Sequence, residues 1–123
     1  MTLSILLIIN AALSLFRGIG FIFAPAKLWA TFKVTLDNTT TFPVRILGAA
    51  YLATALMNWA AKNSTDIASI QGVVIFNFTM EFLSAIITVY GILRNSVSKL
   101  AWIPFTIHLL VSVGFGYYLF MKH

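Results

Sequence analysis

A single carboxylate in the middle of a long apolar run is the group in this chain best suited to chemistry. Glu81 lies between about Ile67 and Leu93, and this run contains no other charged residue. An ionisable side chain at membrane mid-depth usually marks a functional site, because a charge is costly to bury in hydrocarbon. Three interpretations are open. Glu81 is a proton-coupling carboxylate, the partner of an arginine on another helix, or a protonated acid hydrogen-bonded between helices.

Further polar side chains recur at helical spacing within the apolar runs. Residues three or four positions apart share one face of a helix. Stripes of this kind are poorly solvated by lipid, so we expect them to point into a bundle of helices. They are Asn77, Glu81, Ser84 and Thr88 in the third run; Asn10, Ser14 and Arg17 in the first; Arg45, Tyr51, Thr54 and Asn58 in the second; and His108 and Ser112 in the fourth.

Depth within the membrane indicates which residues can meet Glu81. At 1.5 Å per residue, Arg17 and His108 lie about 10 Å from one membrane face and Glu81 about 16 Å from it. An arginine side chain is long enough to close that gap. We therefore expect a buried Glu81–Arg17 pair whose hydrogen bonds are completed by His108 or Asn77. Such a pair contributes more to the specificity of packing than to stability.

The same region offers a second use, a ligand site inside the bundle. Tyr51, Phe78, Phe82 and Ser84 would line a cavity in which Glu81 contacts a lipophilic or cationic molecule. The sequence carries no HExxH, GxSxG or glycine-rich phosphate-binding motif, so no catalytic residue is assigned.

Cofactor and metal ligands are equally sparse. The chain has no cysteine and two histidines, His108 and His123. These histidines would lie about 22 Å apart along one helix, too far to share a site. We therefore expect neither a metal nor a cofactor.

The elements that position these residues follow from composition. Hydrophobic residues make up 60% of the chain, charged residues only 9%, and the mean hydropathy is +0.95. A soluble domain has about a quarter of its residues charged. Apolar runs at about 3–24, 43–61, 67–93 and 100–121 each approach the roughly 20 residues that a helix needs to cross hydrocarbon. The sequence predicts an all-α integral membrane protein, a single four-transmembrane-helix bundle over residues 1–123.

The first apolar run and the segment that follows it need separate interpretation. The first run lacks the basic start and the cleavage site of a signal peptide, so we expect it to remain as a helix. The segment from Pro25 to Phe42 contains Trp29 among apolar and charged residues. It is either a short helix lying at the membrane interface or an irregular loop.

Basic residues predict the orientation. They are divided six to two between the ends of the bundle: Arg17, Lys27, Lys33, Arg45, Arg94 and Lys99 at one end, Lys62 and Lys122 at the other. The richer end should be cytoplasmic, which places both termini outside the cytoplasm. The net charge of +5 is then a topology signal that favours lipid headgroups as partners and not nucleic acid.

Residues 45–62 carry a family resemblance. Arg45, Gly48, Ala49, Asn58 and Trp59 resemble the second helix of DoxX-like small bacterial membrane proteins. The resemblance implies a four-helix protein of the bacterial inner membrane, and a role as a partner of membrane redox enzymes or as a binder of lipophilic molecules.

The third helix departs from the family pattern. There the family often has an asparagine followed by a histidine, whereas this chain has Asn77 followed by Met80 and Glu81. A histidine-based role is therefore not carried over. We expect a non-catalytic accessory or assembly subunit of a larger membrane complex or homo-oligomer, with a small carrier or binder that uses Glu81 as the alternative.

Overall fold

The chain folds into helices joined by short connections. A computed structural model describes residues 2–121 and contains no strand within that range. Four segments are long and apolar enough to cross a membrane, which confirms the predicted all-α, four-helix architecture. The elements are α1 (Leu3–Phe23), α2 (Pro25–Ala30), α3 (Asn38–Ala61), α4 (Ile67–Leu93), a 3₁₀ helix (Lys99–Ala101) and α5 (Trp102–Phe120).

Helix α3 begins earlier than the sequence suggested. The prediction placed its start at Pro43, but the helix begins at Asn38 and runs through that proline. The cause is a capping box: Asp37 Oδ1 accepts the backbone N–H of Thr40 at 2.8 Å, and Thr40 Oγ1 accepts the backbone N–H of Asp37 at 2.9 Å. Pro43 is the sixth residue of α3, beyond the first turn, so its missing N–H costs the helix one intrahelical hydrogen bond, and the helix continues through it.

The segment between α1 and α3 begins with a short helix and continues as a turn and irregular residues. Its first part is the short helix α2, which starts at Pro25, where a proline fits the first helical position. A backbone hydrogen bond of 2.9 Å from Ser98 N–H to the Phe32 carbonyl ties the following turn to the connection between α4 and α5. We call this end of the bundle the α2 end. The opposite end, with the start of α1 and the turn between α3 and α4, is the terminal end.

The four spanning helices pack as two pairs, α1 with α3 and α4 with α5. In the first pair the backbones approach closely at two glycines. A Cβ added to Gly18 would lie 3.0 Å from the Gly48 carbonyl oxygen, and one added to Gly48 would lie 3.0 Å from the Gly18 carbonyl oxygen. Small residues allow such close packing in membranes. We call the interface between the two pairs the seam.

Large apolar side chains fill the seam at the terminal end. The buried cluster joins α1, α4 and α5, and it consists of Leu6, Leu7, Val74, Val111 and Phe115. Each of these residues lies on the terminal side of the ionisable residue in its own helix, which is Arg17, Glu81 or His108. The middle of the seam is therefore left to polar side chains.

The glycine contact can be tested by adding one methyl group. Gly48→Ala should lower the free energy of unfolding by about 1–3 kcal/mol, the usual cost of overpacking. Its Cβ would lie 2.8 Å from Ile22 Cγ1 and 2.9 Å from Phe21 Cβ. Gly72→Ala is the matched control, because a Cβ there meets nothing within 4 Å. Unfolding in mixed micelles measures both, and equal stabilities for the two variants would contradict the tight α1–α3 contact.

The capping box predicts a pH dependence at the start of α3. The hydrogen bond from the Thr40 backbone N–H, helped by the Thr40 hydroxyl, holds the pKa of Asp37 below its usual value. A lowered pKa stabilises the helix start above about pH 4, and this effect is lost as pH falls through the folded pKa. Asp37→Ala should therefore reduce hydrogen-exchange protection of the Thr40 amide at neutral pH, and acid should do the same in the parent.

The other helix-preceding aspartate provides the control for this exchange experiment. Asp66 precedes α4 but makes no side-chain bond to that helix's backbone N–H groups. Asp66→Ala should leave amide protection in the first turn of α4 unchanged. Equal losses of protection at both helix starts would show that the capping box of Asp37 is not the cause.

Candidate functional site

Glu81 lies at the centre of the seam and accepts hydrogen bonds from two other helices. Arg17 Nη1 on α1 donates to Glu81 Oε1 at 3.0 Å, and His108 Nδ1 on α5 donates to Oε2 at 2.5 Å. The Glu81 side chain is only 3% exposed. Both carboxylate oxygens are therefore bound within the chain. We call Arg17, Glu81 and His108 the ion triad.

The structure thus brings together the predicted Glu81–Arg17 pair. Of the two residues considered for completing its hydrogen bonds, His108 takes that position and Asn77 does not. Asn77 lies one turn closer to the terminal end of α4, where its amide is paired elsewhere. The spacing of the stripes on α1 and α4 was enough to predict the ion pair, because both residues lie on the seam-facing side of their helices.

An asparagine cluster forms a second polar layer toward the terminal end. Asn77 Nδ2 donates to Asn58 Oδ1 at 2.7 Å, and Asn58 Nδ2 donates to Asn77 Oδ1 at 3.2 Å. Asn10 Nδ2 also donates to Asn58 Oδ1, at 3.4 Å, and Asn58 Nδ2 donates to the Thr54 carbonyl at 2.8 Å. The three asparagines are buried. Asn58 is therefore the hub that joins α1, α3 and α4.

An aromatic side chain extends the ion triad to α3. The Arg17 guanidinium carbon lies 5.4 Å from the centre of the Tyr51 ring, within the range of a cation–π contact. Tyr51 in turn meets Phe21 edge to face, with ring centroids 5.6 Å apart. Through Tyr51 and Arg17, all four spanning helices contribute a side chain at the level of Glu81.

The polar groups of the seam that lack hydrogen-bond partners lie on helix α1. Asn10 Oδ1 and Ser14 Oγ are buried and have no hydrogen-bond partner among residues 2–121. The two residues lie on successive turns, just on the terminal side of Arg17. In hydrocarbon an unpaired polar atom is costly. Spare hydrogen-bonding capacity in the seam is therefore concentrated on α1.

Arg45 does not belong to the intramembrane polar network in which the sequence placed it. Its side chain is exposed, and no hydrogen bond or ion pair joins it to another residue among those described. The buried stripe of α3 continues from Gly48 toward the half-buried Val44, so Arg45 lies beside that stripe. Near the end of a spanning helix an arginine can extend to the membrane surface, which avoids burying its charge.

The four residues predicted to line a ligand cavity do not share one. Tyr51 is buried beside Arg17 and Ser84 is half-buried, but Phe82 is 44% exposed and stacks on Phe78 at 5.5 Å. The face of α4 that bears Phe82 lies about 100° around the helix from Glu81, which turns it away from the seam. Two surface grooves lie at the terminal end, and Leu3 and Ile70 line both of them.

One residue of the polar seam, Asn58, was not predicted to be a site residue. The sequence places it only in a polar stripe and in the family resemblance, although it makes more of the polar contacts than Asn10 or Asn77. Its spacing from Tyr51 and Thr54 was the available signal. Within residues 2–121, no three histidine or acidic side chains lie together as metal ligands would. His123 and Lys122, used above for ligation and orientation, lie outside the described residues.

A double-mutant cycle tests the ion pair. Arg17→Met and Glu81→Leu should each lower the free energy of unfolding by about 3 kcal/mol, because each leaves a buried charge without its partner. The double variant should cost about 1–3 kcal/mol less than the sum, since residues in contact couple. Lys62→Met with Glu81→Leu is the control pair and should be additive. Additivity in the Arg17–Glu81 cycle would refute the pair.

Comparison with known proteins assigns the site to no family. No protein-family model, curated protein or solved structure matches the chain. The DoxX-like resemblance of α3 therefore stays a prediction from Arg45, Gly48, Ala49, Asn58 and Trp59. The case for a function rests on the polar seam and on the surface of the bundle.

Proposed function

We propose that this chain is a non-catalytic integral membrane protein that acts as an accessory or assembly subunit, associated with a larger membrane complex or with further copies of itself. The observation that carries the proposal is the hydrogen bonding of the Glu81 carboxylate. Its two oxygens are taken by Arg17 and His108. A carboxylate held in this way supports a structural use of the intramembrane charge, because it has little capacity left for a substrate.

The surface of the bundle supports association in the membrane. Large apolar side chains are exposed on each spanning helix, among them Phe16, Leu56, Ile87 and Leu110. Lipid tails and neighbouring transmembrane helices both fit such a surface. On α3 the exposed Ala53 lies one turn from Leu56, and small residues of this kind let a second helix approach closely.

We further propose the bacterial inner membrane as the location, with both termini on the non-cytoplasmic side. The described basic residues favour this orientation, since those at the α2 end outnumber Lys62 at the terminal end. A DoxX-like membership would agree with this location and with a partner among membrane redox enzymes.

The alternative function, binding or carriage of a lipophilic or cationic molecule through Glu81, has less support. A cationic ligand would have to displace Arg17 or His108 from the carboxylate. Phe82, one of the residues expected to line the cavity, is on the outer surface of α4. The accessory function and the carrier function predict different results of the same purification experiment.

Co-purification tests the proposed function. The tagged full-length chain, extracted from its native membrane in mild detergent, should carry a larger membrane protein or a second copy at fixed stoichiometry, identified by mass spectrometry. Glu81→Gln should reduce that recovery, because it disturbs the packing of α1 and α5 against α4. Arg45→Gln lies outside the network and should not. A lone monomer with a small lipophilic ligand would instead support the carrier function.

A further inference from the structure

The two grooves at the terminal end share one wall and differ in chemistry. Leu3 at the start of α1 and Ile70 near the start of α4 line both. The larger groove, of about 270 Å³, continues from this wall along Val74 on α4 and Leu119 on α5, and we call it the tail groove. The smaller, of about 200 Å³, continues to Lys62 in the turn between α3 and α4, and we call it the head groove.

The head groove holds a cation and two hydroxyl groups. Lys62, Ser4 and Ser64 all line it, and each is half-buried. The Lys62 ammonium lies 4.1 Å from the centre of the Trp59 ring and forms no ion pair within residues 2–121. Ser64 Oγ accepts the backbone N–H of Asp66 at 3.2 Å, which leaves its own O–H to donate. The head groove can therefore supply N–H and O–H donors to an anion.

The acidic residue at the terminal end does not neutralise Lys62. Asp66 lines neither groove, and its carboxylate accepts the Ser69 hydroxyl. The other two acidic residues of the chain lie elsewhere, Asp37 at the α2 end and Glu81 in the middle of the seam. A cation in a groove without a counter-ion raises the local concentration of anions. The head groove is therefore suited to a negatively charged group.

The tail groove is suited to a hydrocarbon chain. Its lining is apolar apart from Gln71 and Tyr118. A peptide segment in this groove would bring backbone N–H and C=O groups, each of which needs a hydrogen-bond partner that an apolar wall does not supply. A hydrocarbon chain needs no such partner, and burial of its surface is favourable in itself.

The two grooves are arranged along the membrane as the parts of a phospholipid are. Trp59 is 54% exposed near the end of α3, and exposed tryptophans of spanning helices lie at headgroup level. Lys62 directly follows α3 and so lies at the same level. Val74 is seven residues beyond Ile67, the first residue of α4, which places it about 10 Å further toward the membrane centre. The cation therefore lies at headgroup depth and the apolar groove runs into the hydrocarbon.

We propose that the head and tail grooves together bind an anionic phospholipid of the surrounding membrane, with its phosphate on Lys62 and one acyl chain in the tail groove. Basic pockets between transmembrane helices suit such headgroups, and lysine binds phosphate as a point charge. A zwitterionic lipid is a poorer ligand, because its head brings a positive group toward Lys62 as well. This inference depends neither on Glu81 nor on the accessory function.

Photo-crosslinking in nanodiscs tests the proposal. The full chain is reconstituted in phosphatidylcholine discs with a trace of phosphatidylglycerol that carries a diazirine near the end of one acyl chain. Mass spectrometry should locate the label at the tail groove, on or next to Ile70, Val74 and Leu119. The same probe with a phosphatidylcholine head should label these positions about fivefold less, the effect expected of one lysine near an anionic headgroup.

Substitutions in the two grooves separate recognition of the head from that of the tail. Lys62→Gln should lower labelling by the phosphatidylglycerol probe to that of the phosphatidylcholine probe, whereas Lys62→Arg should retain the difference. Lys99→Gln removes a positive charge at the α2 end and should label like the parent. Leu3→Trp fills the wall shared by the grooves and should reduce labelling by both probes. Leu100→Trp, at an exposed leucine of the α2 end, is its control.

Three results would overturn the proposal. Equal labelling by the two probes, or equally strong label on outward-facing residues such as Phe16 and Leu56, would show lipids that exchange freely around the bundle. Parental labelling in Lys62→Gln would show that the lysine does not select the headgroup. Labelling that disappears as more copies of the chain are loaded per disc would show that a second copy occupies the grooves instead of a lipid.

Discussion

Hydrocarbon cannot hydrogen-bond a polar group, and the interior of this bundle depends on that constraint. Polar side chains on the inner faces of α1, α3, α4 and α5 are stabilised there by partners on another helix or on their own backbone, and within residues 2–121 the polar atoms left without a partner in the seam are Asn10 Oδ1 and Ser14 Oγ. Glu81 has its partners in Arg17 and His108, and Asn58 has them in Asn77 and Asn10. Because water offers no alternative inside the membrane, these bonds select one arrangement of the helices from many that would bury the same apolar area.

Two kinds of contact hold the helices together: close backbone packing within a pair, and hydrogen bonds between side chains of different pairs. Within the α1–α3 pair, Gly18 and Gly48 bring the backbones close, and dispersion between well-packed atoms supplies the attraction. Across the seam, hydrogen bonds between polar side chains join the two pairs. Backbone packing depends on shape alone, whereas hydrogen bonds also fix register, since moving a helix by one turn would separate Asn58 from Asn77. The seam therefore determines how one pair is placed against the other.

The sequence predicted the parts of this structure that follow from periodicity. Apolar runs located the spanning helices, and spacing along two stripes brought Arg17 and Glu81 to the same level. It failed where competing local interactions decide the outcome. The start of α3 depends on the bonds between Asp37 and Thr40, which outweigh the proline at position 43. Arg45 and Phe82 lie next to inward-facing positions, and a pattern of spacing does not resolve a rotation of that size.

The division of the ion triad among helices has a consequence for biosynthesis. The α1–α3 pair leaves the ribosome complete, with its glycine contact available, while the carboxylate for Arg17 is still unsynthesised. During that interval Arg17, about 10 Å from the membrane face, can stretch its side chain toward the headgroups. The Glu81 side chain is shorter and lies deeper in the membrane, so it cannot reach the headgroups in the same way. Because Arg17 precedes Glu81 in the chain, it is synthesised and inserted first. Glu81 therefore enters a membrane that already contains its counter-ion.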